Sequence, residues 1–264
     1  MEPTPTLNHF YKMLEIYATP SESLWRALEI DKVLELAQAL RLERPILEIG
    51  CGSGAFSSIV FEAIDDAVDI NPKAVERART STVFRRVHCM DARAMSFGTA
   101  SYGTVFANCV LEHIPDLASI LKDCARVLRP GGRLLATVPL RAMNEHLLFS
   151  NQSYAAHRQA SLVHVNLLAP NEWRDLCITS GFDKVDFHPY FYGGHCHLWD
   201  SIDAPLSIGI GRYRLGAALS VLTQLLPPHI QQRLRQATAA WLAVRSRLVE
   251  VGPACAAALV ATKA

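Results

Sequence analysis

Apolar positions along this chain follow two alternating rhythms. Residues 46–49, 67–70, 83–89, 104–107 and 134–138 are short, near-continuous apolar runs, the pattern of strands buried on both faces of a parallel sheet. Between them the apolar residues recur at helical spacing: Phe56, Ile59, Val60 and Ala63, then Ala74, Val75 and Ala78, then Leu117, Ile120, Leu121, Cys124 and Leu128. Asn71-Pro72 supplies a cap and a proline for the first turn of the second of these helices, and Arg129-Pro-Gly-Gly132 is read as a turn. Strand and helix in alternation predict right-handed βαβ units and a doubly wound α/β sheet. Ahead of it, residues 7–19 carry Phe10, Tyr11 and Tyr17. Ser21 is read as the cap of a helix whose apolar face holds Leu24, Leu28, Val33, Leu34, Ala37 and Leu40.

Downstream the rhythm changes. Residues 140–170 are polar and read as irregular, Pro170-Asn-Glu-Trp173 opens a helix that ends before Gly181, and residues 182–190 make a sixth strand. Residues 215–226 are largely apolar and stop at Pro227-Pro228. Ile230, Leu234, Ala237, Trp241, Val244 and Leu248 then mark a helical face. Residues 252–260 read as a last strand displaced far along the chain.

Candidate chemistry starts at the first strand. Gly50, Gly52 and Gly54 follow it at alternate positions, where the absence of Cβ lets backbone approach a ligand, and the helix expected after them would turn its first N–H groups the same way. Gly50-x-Gly52-x-x-Ala55 with Asp69 downstream meets the dinucleotide fingerprint. Gly50-x-Gly52-x-Gly54 with Glu48 ahead of it meets a second pattern, for a ligand without a pyrophosphate. The loop leaves both open. Glu48, Asp69, Asp91 and Asn108 all fall at strand ends, which in such a sheet converge on one edge.

Glu48-Ile-Gly-Cys-Gly-Ser-Gly54, Val68-Asp-Ile-Asn-Pro72, Met90-Asp-Ala92, Asn108-Cys-Val-Leu-Glu-His-Ile-Pro-Asp116 and Leu128-Arg-Pro-Gly-Gly132 together resemble the successive signatures of class I S-adenosylmethionine (SAM)-dependent methyltransferases, most of all the group that includes quinone-biosynthesis enzymes. The resemblance covers about residues 42–190. It implies a Rossmann-like seven-stranded mixed sheet, with residues 1–41 as a helical cover, 42–190 as the SAM-binding core, 191–251 as a helical insertion and 252–264 as the last strand. It implies SAM as cofactor. Glu48 would face the amino-acid end, Gly50, Gly52 and Gly54 the backbone cradle, Asp69 the ribose hydroxyls, Asp91 the adenine amino group and Asn108 the methionine part, with Ile70 and Ala92 also on the cofactor. Tyr11 and Tyr17 are read as packing or site-lining residues. The expected reaction is methyl transfer to a small or amphipathic metabolite, O-methylation before C- or N-methylation, in a secondary-metabolism setting. An NAD(P)-dependent oxidoreductase and a catalytically silent SAM-binding protein are the alternatives.

A hydroxyl acceptor calls for a base, and histidine titrates in the useful range, which singles out His164 and His113, with Tyr154 and His157 behind them. Gly194-His-Cys-His197 has the look of a metal cluster, yet a zinc site wants four suitable ligands and none pair with it; no metal site is expected.

Composition refines this only in places. The chain has 264 residues, is 50% hydrophobic and 19% charged, and carries a net charge of +1, which fits a globular protein and argues against nucleic-acid binding. Cysteines at 51, 89, 109, 124, 177, 196 and 255 show no CxxC, and without a signal-peptide pattern the expected location is the cytoplasm. Residues 204–249 hold Arg212, Arg214, Arg233, Arg235, Arg245 and Arg247 with no lysine or acid, which suits a packed helical pair, an anionic membrane surface at the inner face of a membrane, or a homodimer interface.

Overall fold

The expected buried runs do form one sheet. The computed structural model describes residues 7–17, 19–210 and 213–264, with the backbone alone at 209, 210, 213 and 214. In chain order the elements are α1 (Leu7–Ile16), α2 (Pro20–Leu40), β1 (Ile46–Ile49), α3 (Ser57–Val60), β2 (Asp66–Asp69), α4 (Pro72–Ala78), β3 (Val87–Cys89) and β4 (Tyr102–Asn108). Next come α5 (Leu117–Val127), β5 (Leu128–Pro139), α6 (Gln152–Leu162), α7 (Pro170–Thr179), β6 (Phe182–Tyr192) and α8 (Gly193–Leu206). A small pair, β7 (Gly209–Ile210) and β8 (Tyr213–Arg214), precedes α9 (Leu215–Gln224), α10 (Pro228–Leu248) and β9 (Ala254–Lys263).

Among the described residues the main sheet has seven strands in the order β3-β2-β1-β4-β5-β9-β6. The β1–β2, β1–β4, β2–β3 and β4–β5 pairings are parallel, and β9 runs antiparallel to β5 from Arg133↔Thr262 to Pro139↔Ala256. The sheet is therefore the expected seven-stranded mixed one. Its connections leave β1 toward β2 and leave β4 toward β5, in opposite directions. The carboxyl ends of β1 and β4 thus flank the switch point, where such sheets bind ligands.

The chain divides into two compact units. One comprises Val33–Arg141, Ala156–Pro189 and Ala256–Ala264 and contains most of the sheet. Its core is built from apolar residues at the predicted spacings; in α5, Leu117, Ile120, Leu121, Cys124 and Val127 are buried while Asp116 caps the first turn through Ser119 N. The other comprises Met1–Lys32, Ala142–Ala155 and Tyr190–Cys255. There Trp25 packs on Tyr190, Phe191 and Trp199 with ring centroids 6.3, 4.3 and 5.9 Å away. Asp200 accepts from Leu148 N at 2.9 Å and Tyr154 Oη at 2.7 Å, which ties the 142–155 segment to α8.

Several local expectations need correction. The helix opened by the glycine loop is a single turn, α3, because Phe61 is extended and the chain must return at once to β2. Arg129–Gly132 belongs to β5, where Gly131 takes φ +74° and bends the strand without ending it. The start of α2 is capped by Thr19, whose Oγ1 accepts from Glu22 N at 3.2 Å; Ser21 is buried and donates to Asp203 at 2.8 Å. The polar 140–170 stretch contains α6, a helix without a clear apolar stripe.

Gly194-His-Cys-His197 lies at the start of α8 and not on an extended segment. On a helix, positions two apart point to different sides, so His195 is buried and His197 exposed. His195 Nδ1 accepts from Tyr192 N at 3.1 Å and its Nε2 is 2.9 Å from Ser246 O, so the imidazole satisfies one end of the helix and one turn of α10. Burial lowers its pKa to about 4.

In α10 the predicted apolar face points outward. Leu234, Trp241, Val244 and Leu248 are exposed, whereas the face that packs is Ala239, Leu242, Ala243 and Ser246. Small side chains let α10 approach α1 and the α8 start closely; a Cβ on Gly194 would meet Val249 O at 2.1 Å. Of the arginines, Arg212 and the side chain of Arg214 lie outside the described residues.

Burial along α5 yields a stability test. Leu121→Ala is expected to cost ~2–5 kcal/mol in urea unfolding, against under ~0.5 kcal/mol for Lys122→Ala on the exposed face of the same helix.

Candidate active site

β1 ends at Ile49 and the chain turns through Gly50, Gly52 and Gly54 at φ +68°, +57° and +77°, the left-handed region that side chains with a Cβ rarely adopt. At Gly50 a Cβ would also stand 2.4 Å from Val110 Cγ2, which follows β4. Gly50 N and Cys51 N both donate to Val68 O, at 2.8 and 3.2 Å, which seats the loop on β2. Backbone thus replaces side chain where the strand ends meet.

A cavity of about 540 Å³ opens at this point, lined by Ile49 and Gly50 from β1, Val68, Asp69 and Ile70 from β2, Met90–Arg93 after β3 and the Cys109–Pro115 segment after β4. It sits in the unit that holds the sheet. Asp69 Oδ2 accepts from Gly52 N at 3.1 Å and Oδ1 from Asn71 N at 2.8 Å, so two backbone donors fix its carboxylate and lone pairs remain on each oxygen. Ile70 beside it is 67% exposed, a bare apolar side chain on a cavity wall. Asp91 is gripped by Arg93, whose Nε lies 3.0 Å from both carboxylate oxygens and whose Nη2 lies 2.6 Å from Oδ2. That side chain, helped by Arg93 N, holds the Asp91 carboxyl below its ordinary range.

Glu48 occupies the interior of β1 and is buried next to the cavity-lining Ile49. Its Oε1 accepts from Ser57 Oγ at 2.7 Å, and its Oε2 meets no hydrogen-bond partner. Burial pushes its pKa up to about 8, the nearby Asp69 adds to this, and the Ser57 hydrogen bond opposes it.

The β4 exit carries its own constraint. Cys109 takes φ +47°, held by donation from its N–H to Thr137 O at 3.2 Å and Oγ1 at 3.0 Å. The same threonine oxygen accepts from Asn108 Nδ2 at 2.8 Å. Asn108 therefore braces the turn. His113, in the single 3-10 turn Leu111–His113, lines the cavity, and the His164 ring lies 5.3 Å from it, centroid to centroid. Burial, and next the His113 ring, lower the His164 pKa to about 4.

Of the residues expected from sequence, Gly50, Asp69, Ile70, Asp91, Ala92 and His113 come together on this cavity; Glu48, Gly52, Gly54, Asn108 and His164 stand around it without lining it. Tyr11, Tyr17, Tyr154 and the 194–197 cluster belong to the other unit. Met90, Arg93, Cys109, Val110, Ile114 and Pro115 line the cavity without having been singled out. All but Arg93 lie inside the quoted motif stretches, and only folding distinguishes wall residues from their neighbours there.

Comparison with known proteins points to methyltransferases. The methyltransferase domain family matches residues 47–136. The chain is 33% identical over 159 residues to a malonyl-[acyl-carrier protein] O-methyltransferase of Alcanivorax borkumensis, covering 57% of this chain and 52% of that one. It is 30% identical over 149 residues to a ubiquinone biosynthesis O-methyltransferase of Xanthomonas oryzae, covering 49% of this chain and 62% of that one. The aligned region thus spans between half and two thirds of those relatives. Among solved structures, a SAM-dependent methyltransferase of Thermotoga maritima superposes with TM-score 0.55 at 17% identity, over 97% of this chain and 100% of that one, a likeness of fold. The cofactor implied by family and fold is S-adenosylmethionine, and the buried, partnerless oxygen of Glu48 beside a glycine cradle is the kind of donor set its charged amino-acid end requires. Residues 47–136 are thus similar to the methyltransferase domain family, and the sheet has the Rossmann-like fold seen in a solved SAM-dependent methyltransferase.

Proposed function

We propose that this protein transfers a methyl group from S-adenosylmethionine to a hydroxyl oxygen of a small or amphipathic metabolite. One observation carries the proposal: Gly50, Asp69 and Asp91, from three separate strand ends, line a single cavity at the sheet's switch point, beside the unpaired Glu48 Oε2. In this assignment Glu48 receives the ammonium of the donor, Asp69 accepts from the two ribose hydroxyls, Ile70 covers the adenine face, and Asp91 with Ala92 meets the adenine edge. Gly50, Gly52 and Gly54 shape the cradle, and Asn108 holds the β4 exit in place near the methionine part. Both curated relatives carry O-methyltransferase names, which supports oxygen as the acceptor atom.

The donor supplies a methyl group already activated on a sulfonium, so the acceptor oxygen displaces a neutral thioether and no protein nucleophile is required. The chain's task is positioning, which can contribute roughly 7–11 kcal/mol. His113, on the cavity wall, is the group assigned to take the hydroxyl proton. His164, buried and with its pKa near 4, is a weak proton acceptor and supports His113 instead of replacing it.

Exposed apolar residues in and after α9 and on α10 support a membrane contact. Leu222, Leu225 and Trp241 are exposed there together with Arg233, Arg245 and Arg247, and no acid occurs between residues 204 and 249. Exposed apolar side chains in a stretch whose only charges are arginines suit an anionic bilayer surface. No described helix is long and apolar enough to cross a membrane. The intact protein is expected to co-sediment with phosphatidylglycerol vesicles and to release as salt rises, with Leu222→Glu abolishing the effect. Association between protein copies without vesicle binding would assign the face to a dimer instead.

Isothermal titration should give saturable heat with S-adenosylmethionine and none with NAD, and Asp69→Ala should weaken the former by roughly 10- to 150-fold, the worth of hydrogen bonds to a carboxylate. Retained affinity for NAD alone would return the oxidoreductase alternative. Retained donor affinity with no methyl incorporated into any compound of a cell extract would return the silent binder.

Glu48 sets a pH dependence. Its folded pKa lies above the ordinary carboxylate value, so the unliganded fold keeps a proton that the unfolded chain loses, and stability falls as pH rises from about 4.5 to about 8. A bound ammonium favours the carboxylate, so donor binding should release a proton and tighten as pH rises toward about 8. Glu48→Gln should flatten both slopes and bind the donor more weakly. Thermal melts and titrations across that range measure the two effects separately.

A further inference from the structure

We infer that Thr137 is a positioning residue for the donor: its hydroxyl fixes the turn leaving β4, and with it the wall that receives the methionine half of S-adenosylmethionine. The inference rests on the proposed placing of Asn108 at that half. It adds a residue of β5 that is not among those lining the cavity.

Thr137 is an unexpected residue for its place. It pairs with Asn108 of β4 on one side and Ala258 of β9 on the other, and it is fully buried in the strand between Ala136 and Val138, which are fully buried too. A hydroxyl taken out of water there is unfavourable unless it is hydrogen-bonded, and valine has the same shape without that demand. All three capacities of the hydroxyl are spent on the β4 exit. Oγ1 accepts from Asn108 Nδ2 at 2.8 Å and from Cys109 N at 3.0 Å, and donates to Cys109 Sγ at 3.7 Å.

These bonds hold an unfavourable backbone. Cys109 has φ +47°, in the left-handed region where a Cβ crowds the following carbonyl. A residue other than glycine persists there when its surroundings over-determine it. Thr137 provides this by holding the N–H, the sulfur and the preceding side chain at once. The next residue, Val110, faces the glycine loop so closely that a Cβ on Gly50 would stand 2.4 Å from its Cγ2. Cys109 and Val110 both line the cavity. The path from Thr137 to the ligand is therefore short: one hydroxyl, one turn, and two wall residues set against the Gly50 backbone.

The adenosine half has separate supports. Asp69 is fixed by Gly52 N and Asn71 N, and Asp91 by Arg93. Thr137 takes no part in those bonds. Loss of its hydroxyl is thus a local change at one end of the donor, which distinguishes positioning from general support of the fold.

Titration of the intact protein tests this with two ligands: S-adenosylmethionine, and 5′-methylthioadenosine, which has the adenosine half and no amino acid. Thr137→Val should weaken S-adenosylmethionine by about 10- to 100-fold, as expected for one or two hydrogen bonds lost at a held turn, and 5′-methylthioadenosine by less than about 3-fold. Thr137→Ser keeps the oxygen and should restore affinity to within about 3-fold of the unaltered protein. In a Cys109→Gly background the loss caused by Thr137→Val should shrink, because glycine takes φ +47° unaided. Unchanged S-adenosylmethionine binding in Thr137→Val, equal weakening of both ligands, no rescue by serine, or the same loss in the glycine background would overturn the inference. Amide hydrogen exchange at Cys109 separates it from the donor reading. If the unaltered protein binds neither ligand, the donor assignment falls; Cys109 protection lost in Thr137→Val and kept in Thr137→Ser still identifies the brace, and protection indifferent to both variants sinks it.

Discussion

Everything in the sheet-bearing unit depends on how closely two strand ends can approach. β1 and β4 are neighbours, and the loop leaving one must pass against the segment leaving the other. The contact of Gly50 with Val110 leaves no room for a Cβ, and the left-handed turn at Gly50 would strain one in any case. Cys109 adopts the same unusual region from the opposite side, held by Thr137. Two left-handed turns, each braced by backbone hydrogen bonds to a neighbouring strand, flank the cavity.

Electrostatics follow from that geometry. A carboxylate in the middle of a buried strand is unfavourable, and Glu48 is tolerated because Ser57 satisfies one oxygen and protonation relieves the other. Asp69, fixed by two backbone N–H groups, remains able to accept more hydrogen bonds, while Asp91 already has an arginine on it. Three carboxylates around one site thus have three different environments. The least satisfied of them is the one with the most to gain from a cationic ligand.

The helical unit obeys a different rule. Its buried contacts are aromatic around Trp25 and small along α10, where Ala239, Ala243 and Ser246 permit close packing. Larger residues on α10 are left outside. An apolar stripe read from spacing alone identifies an amphipathic helix without saying which face the rest of the protein covers, and here the close-packing face won because small side chains fit a narrow gap.

Most of the core was legible in the chain itself. Buried runs such as residues 104–107, the Asn71-Pro72 helix start and the left-handed glycines are local matters, decided by a residue's own conformational limits and its near neighbours. Hence the sheet, its strand succession and the meeting of Gly50, Asp69 and Asp91 on one edge could be read from the chain alone. Tertiary structure alone decided the rest. It cut the helix after the loop to one turn, put His195 into a helix cap, turned Trp241 outward and brought His164 to His113 across fifty residues of chain. Contacts between distant segments leave no periodic trace, because the partner that gives a side chain its environment is absent from its local sequence.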